Sequence, residues 1–190
     1  MNNARKFHEV LNSAKSYSIA FLQETKLQHQ KLSEIRSKWR HHEGVFMACA
    51  REGSRRGVVT LFSDKIEVDH IEHSADEEGQ FLVNLCRIHQ RTIMLANVYG
   101  SPDTDQNAAA TFARLTRVIE EMNAKYHIED IVMAGDFNVT LNRADSNTAS
   151  NKPRAEGRLR SLVIDLDILD ADPILNLDPK HTYFCTYREN

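Results

Sequence analysis

The sequence predicts an α+β domain in which a two-layer β core is flanked by helices. Five short apolar stretches follow one another between residues 46 and 99, and helical apolar patterns lie before and after them. Turn-forming pairs such as Ser63-Asp64 and Glu78-Gly79 separate consecutive stretches. Short connections of this kind favour antiparallel neighbours over a doubly wound parallel sheet.

The N-terminal third is predicted to contain a helix, a buried strand and a second short helix. Four apolar residues between positions 7 and 14 follow helical spacing, and the apolar run at 17–23 fits a buried strand. A short helix is expected around 31–39. The five strand candidates that follow are 46–50, 57–63, 65–71, 80–88 and 91–99.

The most regular helix is predicted at 106–125, where the apolar residues from Phe112 to Met122 form one stripe. Asp105 is expected to cap its start. Three further elements complete the pattern: a strand at 130–135, a helix around 159–166 and a last strand at 181–187.

Length and composition fit one globular domain spanning residues 1–190. No apolar run reaches the roughly 18 residues of a membrane span, and the first ten residues lack the apolar core of a signal peptide. We therefore expect no membrane association and an intracellular location, nuclear or cytoplasmic. Cys49, Cys86 and Cys185 are far apart without a CxxC pair, which predicts buried thiols instead of disulfides or a zinc site.

Charge is distributed unevenly along the chain. Residues 1–60 carry 11 Lys/Arg against 5 Glu, and residues 61–190 carry 13 Lys/Arg against 22 acidic residues. A basic segment attracts phosphate backbones, and carboxylates attract divalent cations. Solvated surface charge explains the same counts, so the motifs must decide between these interpretations.

Three segments place polar residues directly after an apolar strand: FLQETKL at 21–27, ANVYGSP at 96–102 and MAGDFNVTLN at 133–142. Glu24 offers a hard carboxylate suited to Mg²⁺. Asp136 and Asn138 are two positions apart, so in extended backbone their side chains leave the same face. Taken singly, a surface ion pair explains Glu24 and an Asx turn explains Asp136.

In their order and spacing these motifs resemble the endonuclease/exonuclease/phosphatase superfamily, most closely the endonuclease domain of non-LTR retrotransposons. The QET, NVY and GDFN strings occur in the family's order, RRGVVTLFS at 55–63 resembles its small-residue strand, and HTYFCTY at 181–187 resembles its Thr-aromatic strand. The resemblance implies a four-layer α/β/β/α sandwich of mixed, mostly antiparallel sheets. It also implies divalent-metal-dependent hydrolysis of phosphodiester bonds in DNA, by a retroelement-type endonuclease.

The resemblance assigns roles to individual residues. Glu24 and Asp136 are expected to bind Mg²⁺ or Mn²⁺, and Asp136 also to orient or deprotonate the attacking water. Asn138 and Tyr99 are expected to donate hydrogen bonds to the scissile phosphate. Because each of these residues closes an apolar strand, we expect all four to converge at one rim of the sheets.

Four further residues are expected to lie near the nucleic acid. Arg55 and Arg56 are candidates for contacts with backbone phosphates, although an exposed hairpin tip explains two arginines nearly as well. Thr182 and Tyr183 match the family's Thr-aromatic pair, although strand propensity alone also favours them there. The expected partner is DNA, with RNA as the alternative.

The resemblance further implies an incomplete domain. The sequence has no counterpart of the family's first strand, which carries an Asn, or of its closing SRID-type and SDH-type segments. In the family the SDH histidine stabilises the pentacovalent phosphorane, so we expect weak activity from these 190 residues alone. Three alternatives remain open: a catalytically inactive fragment or nucleic-acid-binding remnant, an abasic-site nuclease, and a lipid or inositol phosphodiesterase.

Overall fold

The structure is a computed structural model that describes residues 4–39, 41–51, 56–141 and 151–170. In chain order its main elements are α1 (Ala4–Ala14), β1 (Ile19–Leu22), α2 (Leu32–Lys38), β2 (Val45–Ala48), β3 (Val58–Phe62), β4 (Val68–Ala75), β5 (Phe81–Ile88), β6 (Arg91–Tyr99), α3 (Asp105–Lys125), β7 (Asp130–Asp136) and α4 (Pro153–Asp165). Short 3-10 turns lie at His29–Lys31 and His42–Gly44. The strand predicted at 181–187 lies outside the described residues.

The described strands form two sheets. The first has the order β1-β3-β2 and is antiparallel throughout. The second has the order β4-β5-β6-β7, with β4, β5 and β6 antiparallel and β7 parallel to β6. The parallel pair needs a crossover connection, which α3 provides. The prediction of mixed, mostly antiparallel sheets is therefore confirmed.

Helices cover the outer faces of both sheets. Leu11 of α1 and Ile35 of α2 pack with Val59 and Leu61 on one face of the first sheet. Phe112 of α3 and Leu159 of α4 belong to the cluster on one face of the second sheet. The other faces meet in two apolar clusters, which include Ala48, Val58, Phe62, Leu82, Cys86, Leu95 and Tyr99. This is the four-layer α/β/β/α sandwich that the family resemblance implied.

The turn at Ser63-Asp64 connects the two sheets and does not form a hairpin between neighbours. We expected the strand at 65–71 to pair with its predecessor, but β4 begins at Val68 and pairs with β5. The reason is that β3 occupies the centre of the first sheet, with β1 on one edge and β2 on the other. Both edges of β3 are therefore already hydrogen-bonded to other strands, and β4 cannot pair with it.

The cap expected at Asp105 is formed instead by Thr104, whose Oγ1 accepts a hydrogen bond from Asn107 N at 3.2 Å. The Asp105 carboxylate accepts hydrogen bonds from Arg154 N at 3.2 Å and Ala155 N at 2.9 Å. These two amides belong to the first turn of α4, whose donors have no partner within the helix. Asp105 therefore joins the start of α3 to the start of α4.

The described cysteines are buried free thiols, as predicted for Cys49 and Cys86. Burial raises the pKa of Cys86 to about 12, which keeps this thiol protonated. Cys185 lies outside the described residues. None of the described helices has the length and apolar character needed to cross a membrane.

A β-bulge in β4 places two histidines on one side of the strand. The register shifts between His70 and Glu72, and the rings of His70 and His73 both lie against Phe46, with centroid distances of 4.3 and 5.2 Å. Burial lowers the pKa of both histidines, and the neighbouring His73 lowers that of His70 further. Both imidazoles are therefore stabilised in the neutral form.

This cluster predicts a loss of stability in mild acid. A histidine with a lowered pKa in the folded state contributes stability above its unfolded pKa of about 6.5, and this contribution is lost as the pH falls below that value. The free energy of unfolding, measured in urea, should fall less between pH 7.5 and pH 5.5 for His70→Gln/His73→Gln than for wild type. His127→Gln, at an exposed position, is the control. An equal pH dependence in wild type and the double variant would refute this account.

Candidate active site

The four residues predicted to form the site lie at the same rim of the sandwich. Tyr99 and Asp136 are the last residues of β6 and β7 and are register partners in the parallel pair. Glu24 follows β1 by two residues, and its carboxylate acts electrostatically on the Tyr99 phenol together with that of Asp136. Asn138 hydrogen-bonds to Asp136 and Gly100. The predicted convergence of the four side chains is thus seen in the structure, while their chemical roles stay predictions.

The phenol of Tyr99 is held in its protonated form. Burial is the largest cause, and the carboxylates of Glu24, Asp136 and Asp103 add to it, so that the pKa of Tyr99 rises to about 12. The Arg56 guanidinium acts in the opposite direction. At neutral pH this residue can therefore donate a hydrogen bond to an anionic oxygen.

Asp136 and Asn138 close β7 with an Asx turn. Asp136 Oδ1 accepts a hydrogen bond from Asn138 N at 3.1 Å. Asn138 has φ of 52° and donates from Nδ2 to the Gly100 carbonyl at 2.9 Å, which leaves its second amide hydrogen for another acceptor. The turn that served as the alternative explanation of Asp136 is therefore present. The side chain of Asn138 is held against the carbonyl of Gly100, the residue that follows Tyr99.

Two glycines allow the ends of β6 and β7 to approach closely. A Cβ at Gly135, where φ is 144°, would lie 2.0 Å from the Val98 carbonyl oxygen. A Cβ at Gly100 would lie 1.9 Å from the Phe137 carbonyl oxygen. Gly135 thus packs directly against β6, and Gly100 N completes the contact with a 2.7 Å hydrogen bond to the Asp136 carbonyl.

A three-residue turn presents the carboxylate of Glu24. Glu24 and Lys26 have φ of 49° and 54°, in the left-handed region, and Thr25 between them is fully buried. Thr25 N donates to the Gly57 carbonyl at 2.9 Å, and Lys26 N donates to the Arg56 carbonyl at 3.0 Å. Non-glycine residues in this region cost on the order of 1–3 kcal/mol each, so these contacts hold a backbone that would otherwise relax.

Asn97 connects the two sheets beneath the site. It is fully buried, accepts a hydrogen bond from Gln23 Nε2 at 2.7 Å and donates to the Val59 carbonyl at 3.0 Å. Gln23 precedes Glu24, and Asn97 lies two residues before Tyr99. These bonds therefore join the strand that carries Tyr99 to the residue that precedes Glu24.

Arg56 lies at the edge of the site, where it forms ion pairs with Glu78 at 3.1 Å and Asp103 at 2.6 Å. These pairs tie the loop after β6 to the turn between β4 and β5. The predicted contact of Arg56 with nucleic-acid phosphates stays a prediction. Arg55, Thr182 and Tyr183 lie outside the described residues.

The oxygen donors at this rim suit a hard divalent cation. Mg²⁺ and Mn²⁺ prefer carboxylate, amide and water oxygens, and Mg²⁺ commonly uses only one or two protein carboxylates. Glu24 and Asp136 supply two. Within the part of the chain that the structure describes, no three His, Cys, Asp or Glu side chains are grouped closely enough to bind a metal, so the fit rests on this pair. Glu24 Oε1 also pairs with the Lys26 ammonium at 2.8 Å.

Two residues of this rim had no role in the sequence analysis. Gln23 and Lys26 flank Glu24 and Thr25 in the QETK string, and both side chains contact partners at the site. The available signal was their position directly after an apolar strand. The left-handed φ of Glu24 and Lys26 could not be anticipated, because neither residue type favours it.

Comparisons with known proteins agree with this architecture. A profile of the Endonuclease/Exonuclease/phosphatase family matches residues 2–187. An uncharacterized 149 kDa protein of transposon TX1 from Xenopus laevis is 30% identical over 155 residues, which are 81% of this chain and 11% of that protein.

Two solved structures have the same fold at low sequence identity. The catalytic domain of Xenopus laevis APE2 superposes with a TM-score of 0.60 at 16% identity, over 82% of this chain and 62% of that one. A Neisseria 3' phosphatase, NExo, bound to a product DNA hairpin, superposes with a TM-score of 0.59 at 16% identity, over 86% and 66% of the two chains. This chain thus spans about two thirds of each solved structure and about a ninth of the transposon protein.

Two buried asparagines between the sheets provide a matched test of the connection under the site. Asn97, on β6, is hydrogen-bonded across the interface to Gln23 and the Val59 carbonyl, whereas Asn84, equally buried on β5, makes no side-chain hydrogen bond within the described residues. Asn97→Leu should lower the free energy of unfolding by about 1–3 kcal/mol, because Gln23 and the Val59 carbonyl lose their partner.

Asn84→Leu should be neutral or stabilising in the same urea unfolding experiment, because it removes polar atoms that have no partner in the described structure. Equal destabilisation by both substitutions would mean that side-chain size, and not the hydrogen bonds of Asn97, determines stability at this interface.

Proposed function

This chain belongs to the endonuclease/exonuclease/phosphatase family, and on that premise we propose that it hydrolyses phosphodiester bonds in DNA as a divalent-metal-dependent, retroelement-type endonuclease. The observation that carries the proposal is the meeting of Glu24, Asp136, Tyr99 and Asn138 at one rim. Two carboxylates beside a protonated phenol and an amide suit a cation and a phosphate together.

DNA is the proposed substrate for two reasons. The transposon protein shares 30% identity with most of this chain, and a structural neighbour was solved with a DNA hairpin. Lys26 and Arg56 also add cationic groups at the same rim, where they would face the phosphate backbone. An abasic-site nuclease would use the same chemistry, and substrates with and without an abasic site would separate the two.

In the proposed reaction the protein residues orient water and neutralise charge. Asp136 orients the attacking water and accepts its proton as the water oxygen bonds to phosphorus. The Tyr99 phenol and the second amide hydrogen of Asn138 donate to the non-bridging oxygens, whose charge grows in the transition state. The bond to the leaving oxygen breaks, and that oxygen takes a proton from solvent. When bound by Glu24 and Asp136, Mg²⁺ or Mn²⁺ supplies positive charge to the phosphate.

A plasmid-nicking assay separates this proposal from its alternative. Asp136 is assigned both to the metal and to the attacking water. Nicking of supercoiled plasmid should therefore require Mg²⁺ or Mn²⁺ and should disappear in Asp136→Ala. A catalytically inactive nucleic-acid-binding remnant, the alternative function, would bind DNA without any Asp136-dependent nicking.

Metal binding tests the proposal without relying on turnover. Paramagnetic broadening of NMR signals by Mn²⁺ should be centred on Glu24, Tyr99 and Asp136, and should be lost in Glu24→Gln/Asp136→Asn because both carboxylate ligands are removed. Glu121→Gln/Asp165→Asn removes the same charges from exposed positions on α3 and α4 and should leave the broadening unchanged. Identical broadening in all three proteins would overturn the assignment.

A further inference from the structure

The Lys26 ammonium pairs with the carboxylate of Glu24. Its Nζ lies 2.8 Å from Glu24 Oε1, and both side chains are about half exposed. Under the proposed function, the same carboxylate is a metal ligand. The Glu24 carboxylate therefore has two possible partners, the Lys26 ammonium and the divalent ion.

The backbone builds this pair. The two residues flank the fully buried Thr25, and hydrogen bonds to the Arg56 and Gly57 carbonyls fix the turn. A Cβ at Gly57 would lie 2.6 Å from Thr25 Oγ1, so this approach also depends on a glycine. Most exposed ion pairs contribute little to stability, because both side chains move freely. Here the hydrogen bonds of Thr25 N and Lys26 N hold the turn that carries both residues.

We propose that Lys26 is a positioning residue that neutralises Glu24 in the metal-free protein and competes with the divalent ion for its carboxylate; this inference rests on the proposed function of the same site. An ammonium and a divalent cation repel each other, so metal binding displaces Lys26 from Glu24. The flexible four-carbon stem allows that movement without a change in the turn. The displaced ammonium remains at the rim, where a phosphate oxygen of DNA is its natural acceptor.

This exchange couples metal binding to DNA binding. A phosphate that pairs with Lys26 releases Glu24 for the metal, and a metal on Glu24 releases Lys26 for the phosphate. Each ligand therefore raises the affinity for the other by the same factor. Lys26 thereby favours a site in which metal and DNA are bound together over one that holds the metal alone.

The test is Mn²⁺ affinity, measured by electron paramagnetic resonance on wild type, Lys26→Met and Lys26→Gln. Without DNA, both variants should bind Mn²⁺ about two- to five-fold more tightly than wild type, the range expected for loss of an exposed competing ion pair. Adding a short phosphorothioate duplex should raise Mn²⁺ affinity by a smaller factor in both variants than in wild type. Lys38→Met, which removes a lysine from the ion pair with Glu34 on α2, should match wild type in both measurements.

The outcomes separate the two proposals. If Glu24→Gln leaves Mn²⁺ affinity unchanged, Glu24 is not a metal ligand and the proposed function loses its metal site. If Glu24→Gln weakens Mn²⁺ binding but Lys26→Met and Lys26→Gln match Lys38→Met, the metal site stands and the role of Lys26 is refuted. Backbone amide spectra of each variant identify any that has lost the wild-type fold, and agreement between the two Lys26 variants assigns the effect to the lost charge.

Discussion

The side-chain amide of Asn97 hydrogen-bonds to Gln23 and to the Val59 carbonyl across the interface between the two sheets, and the geometry of the site depends on these bonds. Most of the surrounding interface is apolar, so a buried amide there must find hydrogen-bond partners or destabilise the fold. The hydrogen bonds that satisfy the Asn97 amide fix the end of β1 relative to the end of β6. Glu24 and Tyr99 lie one and two residues beyond these anchors and are positioned as a consequence.

At the rim, close backbone packing brings charges together that water would otherwise separate. Gly100 and Gly135 let β6 and β7 end side by side. Burial, and after it three neighbouring carboxylates, raise the pKa of the Tyr99 phenol. The Lys26 and Arg56 cations offset part of this negative charge. A site that concentrates carboxylates around a neutral donor attracts a divalent cation, and the bound cation then attracts an anion.

Sequence patterns predicted those features that depend on local periodicity. The strand at 91–99, the central helix and the convergence of motifs at strand ends all follow from apolar spacing. The sheet to which each strand belongs could not be predicted in this way. The Ser63-Asp64 turn is compatible with pairing in either sheet, and a hairpin is excluded only because both edges of β3 are already paired. Asp105 was assigned to the wrong helix since its partners belong to α4, about 50 residues later. The residue roles carried over by resemblance, and the single-domain extent, stay predictions.

The central claim, that Glu24, Asp136 and Tyr99 form one electrostatic site, is tested most directly by titrating Tyr99. The ¹³Cζ NMR signal of Tyr99, assigned with Tyr99→Phe, should remain that of a protonated phenol through about pH 10.5, since its pKa is about 12. In Glu24→Gln/Asp136→Asn the pKa should fall, because two of the charges that raise it are removed. The same titration curve in wild type and the double variant would contradict the account.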